Sequence, residues 1–377
     1  MSRLSAKPVQ SLGASWRLRI QSFDDISFLQ GLLSIYSPSG RERSACTYMK
    51  RFLSRSGFEK VLLDQVGNVL AEKGEGKPSI LLCGHIDTVA GKLPVKLEGN
   101  RIFGRGAVDA KGPLAAMALA AKEYSGIGKI ILCAAVGEEA DSRGAVQLSS
   151  LPRMADAAIF GEPTGLRAVA YAHRGSISIK VEIISGGGHS ASPWGYKNAV
   201  EEAFLLVDKI RNTLCHGMDK FSNPSIAITR IRGGGTENRI PERASMLLDV
   251  RFPNEWNARD MYDKIEEIVK EASQGYRYSI SMLGATEPYV ADKDSIVVRC
   301  LREAVHETLG TRLILVRKTG TGDMGIIARK WNIPVVTYGP CDPRLSHTSG
   351  EFVEIEEFRK AVRIYRLACE KIASSLG

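Results

Sequence analysis

The chain has 377 residues, with 51 Lys+Arg against 42 Asp+Glu for a formal net charge of +9, and it is 44% hydrophobic and 25% charged. That composition excludes a disordered chain and a fibrous repeat. No apolar run approaches the roughly 18 residues a membrane-spanning helix needs, and at roughly 150 residues per domain the length predicts two domains.

Residues 1–22 carry Arg3, Lys7, Arg17 and Arg19 and no acid. An acid-poor, Ser/Arg-containing start resembles a transit peptide, but no apolar secretory segment is present and a flexible tail is the expectation here. The spacing of apolar residues predicts helices over 24–35 and 44–56. Short apolar runs follow at Ser79–Cys83, Lys129–Val136 and Ala157–Phe160, with an Ala-rich helix over Gly112–Tyr124 between the first two. Apolar strands separated by helices predict an α/β domain with helices on both faces of its sheet.

The middle of the chain reads differently. Ser176–Ile184 alternates apolar and polar side chains, as a half-exposed strand does. A helix (198–211), two strands (Ser225–Ile231 and Ala244–Arg251), a helix (Ala258–Ala272) and a last strand (Arg277–Leu283) complete the order βαββαβ of a ferredoxin-like α+β unit. From about Asp294 the α/β pattern resumes, with a strand at Ile333–Thr337 and a closing helix over Ile355–Ser374. The expected organisation is a discontinuous α/β domain (23–174 and 291–377) with an inserted domain at 175–290.

Seven cysteines, an odd number with no C-x-x-C pair, argue against a disulfide framework or a thiolate zinc knuckle and favour a reducing, cytoplasmic setting. The charge is uneven. Residues 175–290 hold 14 basic and 15 acidic residues, whereas the α/β segments after the tail hold 33 and 27. Basic charge alone is compatible with a nucleic acid, an anionic surface, an acidic partner or simple solubility. No basic helix or aromatic-interleaved patch marks a nucleic-acid binder.

Open α/β sheets bind ligands at the carboxyl ends of their strands. His85 and Asp87 follow one predicted strand, Glu138-Glu139 a second, Glu162 a third and His347 a fourth, while Asp109 lies in the glycine-rich loop before the Ala-rich helix. Each residue alone also fits a structural role. Together they make a cluster of like charge that divalent ions would neutralise, and histidine with carboxylate suits Zn²⁺, Co²⁺ or Mn²⁺.

The strings GHIDTV (84–89), GRGAVDAKGPLAAM (104–117), GEEADSRGA (137–145), GEPT (161–164), GGGHSASP (186–193), ENRIP (237–241) and SHTSGEFV (346–353) resemble the M20 family of dinuclear zinc amidohydrolases. The resemblance runs from about residue 26 to the end. It implies a zinc-peptidase-like catalytic domain and an inserted lid that also dimerises. His85 and Glu162 would hold one metal ion, Glu139 and His347 the other, and Asp109 would bridge them. Asp87 would orient His85, Glu138 would be the general base, and His189 would reach a partner subunit's site to stabilise the oxyanion. Asn238, Arg251, Thr321 and Gly322 would contact substrate.

The loop Lys318–Gly325, the GRGAVDAKGPLAAM string and the length look most like the subgroup that works with an amino-group carrier protein. Those enzymes release lysine or ornithine from the side chain of the terminal glutamate of a small acidic carrier of the LysW type. On that resemblance a basic rim on the catalytic domain is expected to steer the carrier. Small-molecule deacylases (acetylornithine or succinyl-diaminopimelate type) and dipeptidases or carboxypeptidases of the family are the alternatives, with a non-catalytic scaffold as the alternative of another class.

Overall fold

The computed structural model describes residues 24–273 and 275–377, so the expected tail lies outside the described residues. The chain opens with helices α1 (Asp25–Ser34) and α2 (Arg43–Ser54). Strands β1 (Lys60–Leu63), β2 (Val69–Gly74), β3 (Ser79–His85), β4 (Lys96–Glu98) and β5 (Arg101–Phe103) follow. Then come α3 (Lys111–Glu123), β6 (Lys129–Ala135), α4 (Arg143–Ser150), β7 (Ala157–Gly161) and β8 (Ala168–His173).

Every residue of β3 is buried, and it runs parallel to β6 on one side and β7 on the other. Its alternating side chains explain both faces of the sheet. Ile80 and Leu82 join the core beneath α1, α2 and α3, whereas Leu81 and Cys83 join a smaller core on the opposite face. This two-sided burial produces the uninterrupted apolar run seen in the sequence.

The inserted unit contains β9 (Gly175–Ile184), β10 (Gly188–His189), α5 (Ala199–Leu214), β11 (Ser225–Gly233), β12 (Arg239–Ile240), β13 (Arg243–Phe252), α6 (Ala258–Ala272) and β14 (Arg277–Thr286). Its four long strands form an antiparallel sheet in the order β11-β13-β9-β14. Ile177, Ile179, Val181 and Ile183 of β9 point to one face and pack with α5 and α6 in a core of their own. Among the described residues no helix packs on the other face.

The chain then returns through β15 (Tyr289–Val290), α7 (Ile296–Leu309), β16 (Ile314–Lys318), α8 (Met324–Trp331), β17 (Val335–Tyr338), β18 (Phe352–Glu354) and α9 (Ile355–Leu376). The large sheet has nine strands in the order β1-β2-β6-β3-β7-β17-β8-β15, with β16 beside β8. Parallel neighbours β6, β3, β7 and β17 end side by side, so the loops after them converge.

Candidate metal centre

His85 ends β3, Glu138 and Glu139 follow β6, and Glu162 follows β7. Asp109 and His347 arrive on loops, Asp109 one residue before the N-cap of α3 and His347 between β17 and β18. Their polar atoms meet in one place. His85 Nε2 lies 3.1 Å from Asp109 Oδ1 and 3.6 Å from Glu162 Oε1. His347 Nε2 lies 2.9 Å from Glu139 Oε1 and 3.4 Å from Asp109 Oδ2. Asp109 thus turns one oxygen to each histidine, and a second carboxylate stands at each end.

The donor set fits divalent ions. His85 Nδ1 is 2.9 Å from the Asp87 main-chain carbonyl, which can only accept, so Nδ1 carries the proton. The neutral ring therefore aims its Nε2 lone pair at two carboxylate oxygens. A cation between them turns that repulsion into ligation, with the tautomer already set. Without one the cluster holds protons. Burial disfavours charge on His85, yet its bonds to Asp109 and Asp87 win and raise its pKa well above normal. The bond to Asp109 pushes His347 up to about 9. Burial, then the charge of Glu162, raises Glu138 well above the usual carboxylate range, and burial raises Glu139. Three triads of these side chains place one ligand atom each within 4.8 Å of the others.

Asp87 does more than orient His85. Its carboxylate sits 3.6 Å from His85 Nδ1 and accepts instead from the main-chain N–H groups of Glu138 and Glu139, at 3.2 and 3.1 Å, and from the Ser39 hydroxyl at 2.7 Å. One buried side chain therefore fixes the loop that carries both glutamates. Burial opposes charge on Asp87, but the adjacent His85 imidazole, with the Ser39 hydroxyl and the Glu139 N–H, outweighs it and holds the carboxyl at about 2. Gly137 makes the turn into that loop at φ 75°, and a Cβ there would lie 2.4 Å from Arg143 Nη1.

The other predicted residues fall into two groups. Arg251, on β13, reaches Thr321 of the glycine loop, with Gly322 next to it. His189 and Asn238 come together on the small β10–β12 ribbon, where Ser190 N–H donates to the Asn238 carbonyl at 3.1 Å. His189 is exposed and, among the described residues, neither it nor Asn238 hydrogen-bonds to the metal cluster.

The structure adds residues that the strand-end rule did not single out. Lys318, at the end of β16, places Nζ 3.3 Å from Glu162 Oε2. Asp323, 6% exposed and hydrogen-bonded to Ser142, is pushed up to about 7 by burial. Glu351 accepts from the Gly106 and Val108 N–H groups at 2.8 and 3.3 Å and pairs with Arg105, so it anchors the loop leading to Asp109. The signal for Lys318 was the short apolar run Leu313–Val316, a strand whose carboxyl end it occupies.

An open α/β sheet with two histidines, a carboxylate facing both, and further carboxylates beside them is the arrangement of a metal-dependent hydrolase. The model of peptidase family M20/M25/M40 matches residues 81–371, and the chain belongs to that family. A Pyrobaculum aerophilum protein provisionally named LysW-lysine/LysW-ornithine hydrolase is 35% identical over 91% of this chain and 96% of its own length. The Saccharolobus islandicus LysW-lysine/LysW-ornithine hydrolase is 31% identical over 91% and 94%. The M20 family metallo-carboxypeptidase from Sulfolobus solfataricus superposes with a TM-score of 0.78 over 93% of this chain and all of its own, at 18% identity, a likeness of fold. No helix among the described residues is long and apolar enough to cross a membrane.

Proposed function

We propose that this enzyme hydrolyses the amide that joins lysine, ornithine or both to the side chain of the terminal glutamate of an acidic amino-group carrier protein, a step of lysine or arginine biosynthesis in the cytoplasm. The observation that carries this reading is the likeness to LysW-lysine/LysW-ornithine hydrolases over nine-tenths of the chain and nearly all of theirs.

His85 and Glu162 would hold one divalent ion, Glu139 and His347 a second, with Asp109 between them; zinc is the favoured metal and cobalt or manganese suit the same ligands. Bound there, the ions supply Lewis acidity and an acidified water. Glu138 would take the water proton and deliver it to the leaving amine. Asp87 keeps Glu138 in place through its main-chain N–H. Arg251 and the Thr321–Gly322 turn, with Asn238, orient the substrate, Arg251 presenting its charge at the cleft while Asp249 and Thr321 hold its guanidinium in place.

The inserted unit acts as lid and dimer interface in this reading. Helix α5 exposes Phe204 and Leu205, and Trp194 beside the His189 loop is 85% exposed. Such apolar groups mark an interaction surface, and pairing there would let His189 of one copy serve the other copy's cleft.

The test is release of free amino acid. The zinc-loaded enzyme is incubated with a carrier protein bearing lysine or ornithine on its terminal glutamate, and in parallel with N-acetylornithine and N-succinyl-diaminopimelate. Release from the carrier with far higher kcat/KM supports the proposal. Turnover of the small amides alone would make the enzyme a small-molecule deacylase.

A further inference from the structure

The inserted unit is nearly neutral in total, but the structure separates its charge. Side chains on the uncovered face of its sheet are those opposite the apolar positions of each strand. They comprise Lys180, Arg230, Arg232, Arg243, Arg251 and Arg277 against two acids, Glu182 and Asp249. Helices α5 and α6, on the other side, carry eight acidic and five basic residues. The near-zero sum therefore conceals one basic face and one acidic face.

The basic face is free and continuous with the catalytic site. Arg230, Arg232, Arg243 and Arg277 form no salt bridge among the described residues, and Arg230, Arg232 and Arg277 are exposed. Several cations near the metal cleft are already paired, although Lys330 on its wall forms no salt bridge among the described residues. Arg344 pairs with Asp342, Lys318 with Glu162 and Arg105 with Glu351. At one end of the face Arg251 Nη1 bonds Thr321, in the loop that begins at Lys318, whose Nζ lies 3.3 Å from Glu162. There the sheet walls a cleft of about 820 Å³ against the catalytic domain, with Ser178 and Arg251 on one side and Ser142 and Lys330 on the other. Further out, a hollow of about 110 Å³ lies between Lys180, Arg230, Arg232 and Leu283. The last, of about 290 Å³, includes Arg232 and Arg243. From Arg251 to Arg243 the strand covers about 27 Å.

We infer that this uncovered face of the inserted sheet is the docking surface for the acidic carrier, seating the carrier body while its terminal glutamate enters the cleft past Arg251. The inference rests on the proposed function and moves the docking site from the rim of the catalytic domain to the inserted unit. A nucleic acid is the weaker fit. The face interleaves Glu182 and Asp249 with its cations, and its apolar contacts are aliphatic (half-buried Leu247 and exposed Leu283), with no aromatic platform for bases among the described residues.

The experiment uses the full-length, metal-loaded enzyme and an Arg230→Glu/Arg232→Glu variant, both positions far along the strand from the catalytic residues. Two substrates are compared: the lysine-bearing carrier and the short γ-glutamyl-lysine amide that ends it. The variant raises KM for the carrier roughly tenfold or more at low salt, weakens the salt dependence of that KM, and leaves kcat and the short amide unchanged. Equal KM values for the two enzymes on the carrier overturn the docking surface while leaving the proposed function standing. A wild-type enzyme that neither cleaves nor binds a fluorescently labelled carrier overturns both. Displacement of that carrier by an equal charge concentration of single-stranded DNA, or a dimer that the substitutions dissociate, reassigns the face to nucleic acid or to a second copy.

Discussion

Arg251 Nη1 donates to Thr321 Oγ1 at 3.1 Å while Nε and Nη2 of the same guanidinium hold Asp249 at 2.9 and 3.0 Å. One side chain therefore links the inserted sheet to the glycine loop of the catalytic domain. The fork geometry matters as much as the charge, because lysine cannot span both partners at once. Arg251→Lys is expected to raise KM for any substrate by roughly 10–100-fold, the loss of about 1.5–3 kcal/mol from a charged hydrogen bond. Thermal stability should change little at this half-exposed position. Steady-state kinetics with a melting curve checks both, and an unchanged KM would remove Arg251 from substrate recognition.

Glu138 and Glu139 are adjacent in sequence but separate in role. Glu139 meets His347 at 2.9 Å, whereas burial, and then the charge of Glu162, raises the proton affinity of Glu138. Glu138→Gln preserves shape and removes the proton acceptor. Turnover should fall by roughly 10²–10⁴, with metal content unchanged by elemental analysis. Loss of an equivalent of metal would make Glu138 a ligand instead of the base.

The parts of this molecule legible in the sequence are those where one physical rule dominates. Ser79–Cys83 is buried on both faces of a parallel sheet, so its apolar run announced a strand and its end announced His85. The βαββαβ order of the middle unit followed from clean alternation, as at Ile177, Ile179, Val181 and Ile183. Strand β8, AVAYAH, lacks β-branched residues apart from Val169, and tertiary pairing with β16 and β17 decides its state. The role of Glu351 was hidden for a different reason. Its partners Arg105, Gly106 and Val108 lie about 245 residues earlier, and no local pattern reports such a contact.

That contact makes Glu351 consequential for the loop that carries Asp109. Glu351 is buried, its oxygens serve Arg105 and two main-chain N–H groups, and those groups belong to the loop that ends at Asp109. Glu351→Ala leaves the nine-tenths-buried Arg105 guanidinium without its carboxylate, which costs about 3–5 kcal/mol. Urea unfolding should record that loss. Metal affinity should weaken with it, because Asp109 loses the support of its loop. A variant that is destabilised yet binds metal normally would separate the loop from the site.

Lys111 gives a pH signature of its own. Its side chain is buried, and Nζ donates to the carbonyls of Leu32 and Ile35, at 3.2 and 2.6 Å, at the C-terminal end of α1. Burial lowers its pKa from 10.5 to about 8. Between those values the unfolded chain still binds a proton that the folded chain has released, so stability rises with pH across that window. Below about pH 8 both states are charged and the full desolvation cost is present. A neutral amine keeps two N–H donors, so both carbonyls remain satisfied after deprotonation. Wild type should therefore gain on Lys111→Met by up to about 1.4 kcal/mol per pH unit above pH 8, levelling off near 10.5. Urea unfolding of both proteins from pH 7 to 10 measures the difference. A flat difference would show that the ammonium stays charged in the fold, held by the end of α1 against its burial.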